Sequence, residues 1–313
     1  MIPSQRDVQQ AFDRVRPHVH QTPVLTSRLL DELSGASIFF KCENFQKMGA
    51  FKMRGAINAI LQIPLVDQAK GVVTHSSGNF AQAVSLAAKN LGIPAYIVMP
   101  NNAPQVKKDA VVSYGGIIYE SEATIAAREA MASKIQNKTG ATFLHPSNHI
   151  DVILGQGTAA IELLQEQPSL NCIITPVGGG GLLAGSALAA KYYGSSIGVY
   201  AGEPFNADDG YRSLQSGKIE YNTTVNTIAD GLRTHLGDKN FPIIKTLVTD
   251  IIRVEEQEII AAMKLLWERL KIIIEPSCAV PFAALLRDKK TFAGKKVGII
   301  LSGGNVDLTN LPF

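Results

Sequence analysis

The stretch TPVGGGGLLAG, residues 175–185, is the strongest indication in this sequence of a strand-to-helix turn that binds phosphate. They follow the apolar run at residues 172–174, which is typical of a buried strand, and they lead into helix-like sequence. The four consecutive glycines allow the backbone to approach a ligand closely and to turn several N–H groups inward, and the following helix offers its positive end to an anion. The stretch therefore predicts a strand-to-helix turn that binds a phosphate monoester.

The glycine tetrad, Gly178, Gly179, Gly180 and Gly181, also leaves two alternatives open. One is a nucleotide-binding oxidoreductase that uses NAD(P), although GGGGLLAG has a poor dinucleotide spacing and no acidic partner for a ribose. The other is a tight turn that binds nothing, which the four glycines disfavour because each costs backbone entropy on folding. A Walker loop is excluded, since no Gly-Lys-Ser/Thr follows.

Strand-like and helix-like segments alternate on both sides of the tetrad. Strand-like runs lie at residues 38–40, 72–74, 95–99, 117–119, 173–177, 198–201, 251–254 and 297–301. Ala-rich segments with helical spacing lie at residues 81–90, 124–138, 158–166 and 256–270. This alternation predicts an α/β fold in which helices cover parallel sheets on both faces. We expect two domains, a large one built from residues 1–69 and 148–313 and a small one, residues 70–147, inserted into it.

Polar loops that contain glycine follow three of the strand-like runs, at residues 77–79, 178–181 and 302–305. In an open α/β sheet, the loops that leave the carboxyl ends of the strands form the ligand crevice. We therefore expect one site, assembled between the two domains from loops that are distant in sequence.

The composition excludes several classes of protein. With 46% hydrophobic and 18% charged residues, the 313-residue chain is neither disordered nor a coiled coil. Its 30 Lys+Arg and 27 Asp+Glu form no long basic cluster, so we expect a small-molecule partner, no nucleic acid and no membrane. Cys42, Cys172 and Cys278 suggest neither a disulfide framework nor a zinc site, and the N-terminus lacks the apolar stretch of a signal peptide. These features predict a cytoplasmic protein.

Lys52 is the candidate nucleophile. It lies beside Phe51 and Met53 in the segment GAFKMRGA, at the start of a helix-like run. If the amine is drawn partly out of water, its charged form is disfavoured and the neutral amine becomes available for a Schiff base. The alternative is a lysine that covers apolar surface with its stem and keeps its charge in water. The histidines, including His145, show no metal-ligand spacing, and we interpret most of them as structural.

Seven motifs occur together in the chain. They are FKMRGA at residues 51–56, HSSGNFAQ at 75–82, GQGT at 155–158, the glycine tetrad, TIADGLRT at 227–234, IIEPSCAV at 273–280 and LSGGN at 301–305. In this order and over nearly the whole chain, the sequence resembles the fold-type II pyridoxal-phosphate (PLP) enzymes, specifically the serine/threonine dehydratase (ammonia-lyase) and serine racemase group. The resemblance implies a two-domain fold like that of the tryptophan synthase β subunit, PLP as cofactor, an amino-acid substrate and a homodimer.

The resemblance also implies roles for the cofactor-binding residues. Lys52 would bind the PLP aldehyde, Phe51 would pack on the ring, Asn79 would bond the 3-hydroxyl, and Gly178 to Gly181 would hold the phosphate. Ser302 would face the pyridine nitrogen. A serine hydroxyl cannot keep that nitrogen protonated as an aspartate would, so the ring is a weaker electron sink. This favours expulsion of a β-substituent over transamination.

Substrate-binding residues follow from the same resemblance. Ser76, Ser77 and Asn79 would bind the substrate, with backbone N–H groups at the helix start holding its carboxylate. Ser77 matches the position that faces Cα from the side opposite the lysine, so Lys52 and Ser77 would form a pair of bases on opposite faces. N-capping of the helix by Ser76 or Ser77 is the alternative role, and it does not exclude function.

Two further positions near the substrate depart from the family pattern. Phe80 stands where the family usually has His, and His235 stands where a small hydroxyl residue is common. We expect these changes to affect substrate preference, for example towards a larger or anionic β-substituent. A histidine on the surface that touches no substrate is the alternative for His235.

The loop at residues 202–210, GEPFNADDG, is the metal candidate. Two carboxylates six residues apart on a Pro-bent loop, with a free carbonyl between them, suit Mg²⁺ or Ca²⁺. The resemblance implies Glu203, the Ala207 carbonyl and Asp209 as ligands of Mg²⁺, Ca²⁺ or Mn²⁺. An acidic N-cap for the helix that starts near Asp208 is the alternative.

These residues predict a PLP-dependent lyase that dehydrates and deaminates L-serine or L-threonine to a 2-oxo acid and ammonia. An amino-acid racemase that uses Lys52 and Ser77, and a 3-hydroxyaspartate-type dehydratase, are the alternatives, and β-replacement is disfavoured by the metal-loop and TIADG motifs. A PLP-binding protein without activity is a further alternative. Because the sequence stops at Phe313, we expect no appended amino-acid-sensing domain and no inhibition by isoleucine.

Overall fold

The computed structural model describes residues 2–313, and within them ten strands form two sheets. The strands are β1 Val24–Leu25, β2 Ser37–Cys42, β3 Val72–His75, β4 Ala95–Pro100, β5 Ile117–Ser121, β6 Thr142–Phe143, β7 Cys172–Pro176, β8 Gly198–Pro204, β9 Asp250–Val254 and β10 Lys296–Leu301. The larger sheet has the order β1-β2-β10-β7-β8-β9 and the smaller sheet the order β5-β4-β3-β6. Every neighbouring pair is parallel except β1 and β2, so the predicted parallel sheets are confirmed.

Helices connect the strands and cover both sheets. They are α1 Gln5–Val15, α2 Arg28–Ser34, α3 Lys52–Leu61, α4 Leu65–Gln68, α5 Asn79–Leu91, α6 Gln105–Ser113, α7 Ile125–Thr139, α8 Ile150–Glu166, α9 Gly181–Tyr193, α10 Asp209–Ser216, α11 Phe241–Leu247, α12 Glu256–Leu270, α13 Pro276–Arg287 and α14 Lys289–Phe292. The prediction for α12 is confirmed to the residue, and α5 and α7 differ from theirs by one or two positions. Helix α8 begins at Ile150, well before the predicted start at residue 158, because the GQGT segment is helical.

The central strands are buried along their length, as expected of parallel strands with helices on both faces. All of β7 is buried, and β10 is buried from its second residue onward. Two short strands, β1 and β6, lie outside the predicted runs. Each has only two residues, too few for the alternation or apolar run that indicates a strand.

The smaller sheet is built entirely from the segment between β3 and β6, inside the range predicted for the small domain. Helix α3 precedes that segment, yet its Met53 and Ile57 share a hydrophobic cluster with Val72 of β3 and Val84 of α5. The helix that carries Lys52 therefore packs against the small sheet. The domain boundaries at residues 69/70 and 147/148 stay a prediction.

Glycines bring α3, α8 and α9 into close contact. A Cβ at Gly55 would lie 2.8 Å from the Val152 carbonyl, and a Cβ at Gly157 would lie 2.5 Å from the Gly185 carbonyl. Real Cβ atoms do not approach backbone this closely, so only glycine permits this separation of the helices. The packing sets α3 and α9 at fixed distances from α8. Among residues 2–313, no helix combines the length and apolar composition that a membrane span needs.

Substitution of Gly185 tests this packing. Gly185→Ala is expected to lower the free energy of unfolding by about 1–3 kcal/mol, because the new Cβ would meet the Gly157 backbone N at 2.6 Å. Urea denaturation of the purified protein measures the change. Gly78→Ala is the control, since a Cβ there has nothing within 4 Å. Equal stability of Gly185→Ala and the unsubstituted protein would contradict the interpretation.

Candidate active site

Lys52 is the first residue of α3, and its amine lies between two aromatic rings. Its Nζ is 4.9 Å from the centre of the Phe51 ring and 5.6 Å from the centre of the Phe80 ring. The Nζ also donates a hydrogen bond to the Pro146 carbonyl at 3.0 Å. Burial lowers the pKa of Lys52 to about 8, and the charge of Glu275 opposes this shift only in part. A large fraction of the amine is therefore neutral near pH 8 and available as a nucleophile or base.

The glycine tetrad lies between β7 and α9, and it forms a seat lined by backbone. Gly180 has a φ of +78°, a conformation that L side chains rarely adopt. A Cβ at Gly178 would lie 2.7 Å from the Cα of Leu232. Asn240, which is buried, donates from Nδ2 to the Gly179 carbonyl at 2.8 Å. A backbone seat at the N-terminus of α9 fits the phosphate group that the sequence predicts there.

The turn at residues 145–148 joins Lys52 to this seat. Its Pro146 carbonyl accepts the Lys52 hydrogen bond, and its Ser147 carbonyl accepts a bond from Asn240 Nδ2 at 3.1 Å. The Ser147 side chain packs against Gly179. The turn is held from inside by Nδ1 of His145, which accepts the N–H groups of Ser147 and the next residue. Sequence analysis assigned this turn no functional role.

Asn79 connects the two sheets across the crevice. Its Nδ2 donates to both carboxylate oxygens of Glu275, at 2.9 and 3.1 Å, and its Oδ1 accepts from Asn305 Nδ2 at 2.9 Å. Burial, together with the charge of Asp230, raises the pKa of Glu275 to about 7. Asp230 pairs in turn with Lys107 of α6 at 2.6 Å, so a second polar contact spans the crevice.

The other predicted cofactor and substrate residues lie on loops around the same crevice. Ser302 follows β10, is 3% exposed, and accepts the Phe51 N–H through its carbonyl at 3.0 Å. Ser76 and Ser77 are half-buried in the loop between β3 and α5. Neither makes a side-chain cap bond at Gly78, the N-cap residue of α5, although Ser76 Oγ accepts the Gly78 N–H at 3.4 Å. Their roles towards substrate stay predictions.

His235 contacts Tyr221 and Asn222. Its Nε2 accepts the Asn222 N–H at 3.3 Å, and its ring lies edge-on to Tyr221, 5.1 Å between ring centres. Burial lowers its pKa, and the charge of Arg212 adds to the shift. These contacts tie His235 to the loop beside Asp209. Its predicted contact with substrate stays a prediction.

Arg128 is a cation close to His75 to which the sequence alone gives no role. It lies in the first turn of α7, and within residues 2–313 its guanidinium makes one hydrogen bond, from Nε to the Thr124 carbonyl at 3.4 Å. Burial lowers the pKa of His75, and the charge of Arg128 lowers it further, which places Arg128 near the last residue of β3. The substrate loop with Ser76 and Ser77 follows directly. An arginine at a helix start carries no sequence signal of this placement.

The predicted metal ligands lie close together in the chain, from the end of β8, which carries Glu203, to the first residue of α10, Asp209. Glu203 is fully buried, and its two oxygens accept the N–H groups of Gly210 at 2.9 Å and Tyr211 at 2.7 Å. Asp209 accepts a bond from Asn222 Nδ2 at 2.7 Å. Asp208 is the N-cap residue of α10, but its side chain makes no capping bond, and the carboxylate of Glu203 accepts the N–H groups of the first turn instead.

The charges of the metal loop suit a divalent cation. Burial raises the pKa of Asp209 to about 7, and burial together with the charge of Asp209 raises that of Glu203 well above its usual range. Two carboxylates and the buried Ala207 carbonyl are oxygen ligands of the kind that Mg²⁺ and Ca²⁺ prefer. No group of three His, Cys, Asp or Glu side chains in the described chain is placed to share a metal, so a site here needs the carbonyl.

A buried ion-pair network, also missed from sequence, holds the helix of Lys52. Arg54 is fully buried and pairs with Glu43 through Nε at 2.7 Å and with Glu162 through Nη1 at 2.7 Å. Lys41 reaches the other oxygen of Glu162 at 2.9 Å. Although burial alone would raise the pKa of Glu43, the charge and hydrogen bonds of Arg54 hold it below its usual value. The network joins β2, α3 and α8.

The cysteines are free and buried. Burial raises the pKa of Cys42 to about 12 and that of Cys172 to about 11. Burial also raises the pKa of Cys278, which lies beside the backbone of Ser302 and Gly303. All three thiols are therefore protonated near neutral pH.

The amine between two rings, the backbone seat for a phosphate and the loops of two sheets around them define an enzyme that works with a phosphorylated aldehyde cofactor. The chain belongs to the family of pyridoxal-phosphate dependent enzymes, whose family model matches residues 15–303.

Relatives and solved structures agree with this membership. The chain is 52% identical to serine racemase of Arabidopsis thaliana over 97% of this chain and 93% of that protein. It is 47% identical to β-hydroxyaspartate dehydratase of Paracoccus denitrificans over 100% of this chain and 99% of that protein. The structure of maize serine racemase superposes with a TM-score of 0.97 at 48% identity, covering 99% of this chain and 95% of the maize chain. The predicted fold-type II architecture is confirmed.

The lowered pKa of Lys52 gives a measurable pH dependence. In the cofactor-free protein, labelling of Lys52 by an amine-specific reagent is expected to rise with a midpoint near pH 8, because the neutral amine accumulates above its pKa. Peptide mass spectrometry across a pH series measures the midpoint. Lys264, on the exposed face of α12, is the internal control for reagent and pH effects, because its side chain lies in solvent. The same pH dependence of labelling at both lysines would contradict the buried amine.

Proposed function

We propose that this protein is a PLP-dependent ammonia-lyase that dehydrates and deaminates a small β-hydroxy amino acid, with L-serine or L-threonine as default substrates. The observation that supports this most is a single crevice that holds both the buried Lys52 amine and the backbone seat for phosphate. One turn, residues 145–148, connects the amine to the seat. PLP, when bound, supplies the electron-withdrawing ring that makes cleavage of the Cα–H bond possible.

The protein's own groups have separate tasks in this reaction. Lys52 carries the cofactor and, as a neutral amine, takes the Cα proton. Backbone N–H groups at the start of α5, with Ser76 and Asn79, bind the substrate carboxylate. The rings of Phe51 and Phe80 exclude water from the amine. The proton that Lys52 takes from Cα is passed to the β-hydroxyl, which leaves as water. Addition of water to the released aminoacrylate then gives the 2-oxo acid and ammonia.

Products from L-serine in deuterated water test this proposal. The unsubstituted protein is expected to form more pyruvate than D-serine, and Lys52→Ala to form neither. Ser77→Ala is expected to lose D-serine while it keeps part of its pyruvate production, because only proton return from the opposite face needs Ser77. Ser76→Ala is the matched control and should raise KM without changing the product ratio. D-serine in excess over pyruvate would instead support the racemase alternative, which the Arabidopsis relative's name also favours.

Arg128 supports a second candidate, a 3-hydroxyaspartate-type dehydratase. A guanidinium with one weak hydrogen bond beside the substrate loop is suited to a second carboxylate on the substrate. The Paracoccus relative carries this activity in its name. If this is the activity, Arg128→Ala should lower kcat/KM for 3-hydroxyaspartate by about tenfold or more, the value of one charge-assisted bond, and leave L-serine nearly unchanged. Equal losses on both substrates, measured by ammonia release, would exclude selective binding by Arg128.

We also propose that Glu203, the Ala207 carbonyl and Asp209 bind a divalent cation, with Mg²⁺ the first candidate. Mg²⁺ at about one hundred times its Kd is expected to stabilise the protein by about 2.7 kcal/mol, which thermal unfolding detects as a rise in Tm. Asp209→Asn should lose this rise without loss of stability in metal-free buffer, since it removes one of two like charges. Asp307→Asn, an exposed change, is the control. Full retention of the Mg²⁺ effect in Asp209→Asn would refute the site.

We propose a homodimer as the assembly. Phe45 and Ile273, 46% and 48% exposed, lie on neighbouring segments that are joined by a hydrogen bond from Asn44 Nδ2 to the Ile273 carbonyl at 3.2 Å. Apolar side chains exposed together suit contact with a second copy.

A further inference from the structure

His145 occupies a position that the proposed reaction does not use. It is half-buried at the end of the small sheet, with ring centres 5.7 Å from His75 and 6.4 Å from Phe143. Its Nδ1 lies 2.8 Å from the Asn148 N and 3.2 Å from the Ser147 N. Sequence analysis interpreted this histidine as structural.

The partners of Nδ1 fix the chemical state of the ring. Both are backbone N–H groups, which always donate, so Nδ1 must accept and carries no proton. The ring is therefore neutral, with its proton on Nε2. Burial, together with the charges of His75 and Lys52, lowers the pKa of His145 to about 4, in agreement with a neutral ring.

The two hydrogen bonds close the turn around Pro146. That carbonyl lies between the two ends of the turn and accepts the Lys52 hydrogen bond at 3.0 Å. The carbonyl of Ser147 faces the other way, towards Asn240, which also holds Gly179. The amine and the glycine tetrad thus share one backbone turn.

The far end of the turn is held by a different loop. The Asn148 side chain donates to Asp238 at 2.8 Å and accepts the Lys239 N–H at 2.8 Å. These bonds hold residue 148 in place but do not orient the carbonyl of Pro146. Without an acceptor inside the turn, two N–H groups lose their partner, and the peptide planes on either side of Pro146 are free to rotate.

We propose that His145 is a positioning residue: its unprotonated Nδ1 holds the turn at residues 145–148 so that the Pro146 carbonyl keeps the Lys52 amine at a fixed place relative to the glycine tetrad. The inference rests on the proposed function, because it assigns Lys52 and the tetrad to the two ends of one cofactor. His145 itself touches neither the amine nor the tetrad through a hydrogen bond.

Substitutions that move the acceptor test the proposal. His145→Asn keeps a side-chain oxygen near the place of Nδ1, whereas His145→Gln places its amide near Nε2. The readout is the rate at which pyridoxal, which lacks the phosphate, attaches to Lys52 of the cofactor-free protein, followed by absorbance and confirmed by borohydride reduction and peptide mapping. Attachment is expected to stay within about threefold in His145→Asn and to fall by about tenfold or more in His145→Gln, the factor for one lost buried hydrogen bond.

The outcomes separate this inference from the proposed function. If the unsubstituted protein attaches no cofactor at Lys52, the proposed function fails. If it does, and the Asn and Gln variants are equally slow or equally fast, only the role of His145 fails. KM and kcat of the PLP-loaded variants give a second comparison, in which His145→Gln is expected to lower kcat more than it raises KM.

A measurement on the unsubstituted protein tests the proposal even if the His145 variants do not fold. Nitrogen-15 NMR of histidine-labelled protein is expected to show His145 with its proton on Nε2 and an unprotonated Nδ1 that accepts hydrogen bonds. A protonated Nδ1 at neutral pH would overturn the proposal, since the ring then cannot hold the turn.

Discussion

The buried charge of Arg54 is the constraint on which the site depends. A guanidinium without solvent is costly unless its donors are paired, and Arg54 meets this need by bonding Glu43 and Glu162 on two other elements. These bonds fix the position of α3 relative to α8 and to the end of β2. Because Lys52 is one turn or less from Arg54 on the same helix, the position of the amine is fixed by a network that lies beneath it and takes no part in the chemistry.

Close packing between helices also fixes the position of the site. Glycines lie where α3 and α9 cross α8. They allow the backbones of α3 and α9 to approach the backbone of α8 closely. Both outer helices start at the crevice, one with Lys52 and the other with Gly181. The turn at residues 145–148, directly before α8, then contacts both starts. The elements that we propose to hold the aldehyde and phosphate ends of the cofactor thus share a single support.

The sequence allowed much of this to be predicted, and the reasons for the rest are physical. Helical spacing predicted α12 correctly, and the glycine tetrad predicted the strand-to-helix turn between β7 and α9. The first half of α8 was not predicted, because intrinsic propensity opposes its glycines in a helix and only the contact with α3 and α9 explains them. The turn at His145 and the support from Asn240 are brought to the site by tertiary folding across long chain separations. No local pattern marks them. Arg54 stood inside a quoted motif, but its carboxylate partners come from distant segments.

The burial and protonation of the three cysteines limit which side chains can react with an aldehyde. Aldehydes combine with thiolates as readily as with amines, and Cys278 lies just behind the loop of Ser302. Since each sulfur is shielded from solvent and retains its hydrogen at physiological acidity, these cysteines offer no competing nucleophile to an arriving carbonyl compound. The same burial limits the access of peroxide to the three sulfur atoms, so their oxidation is disfavoured for the same physical reason.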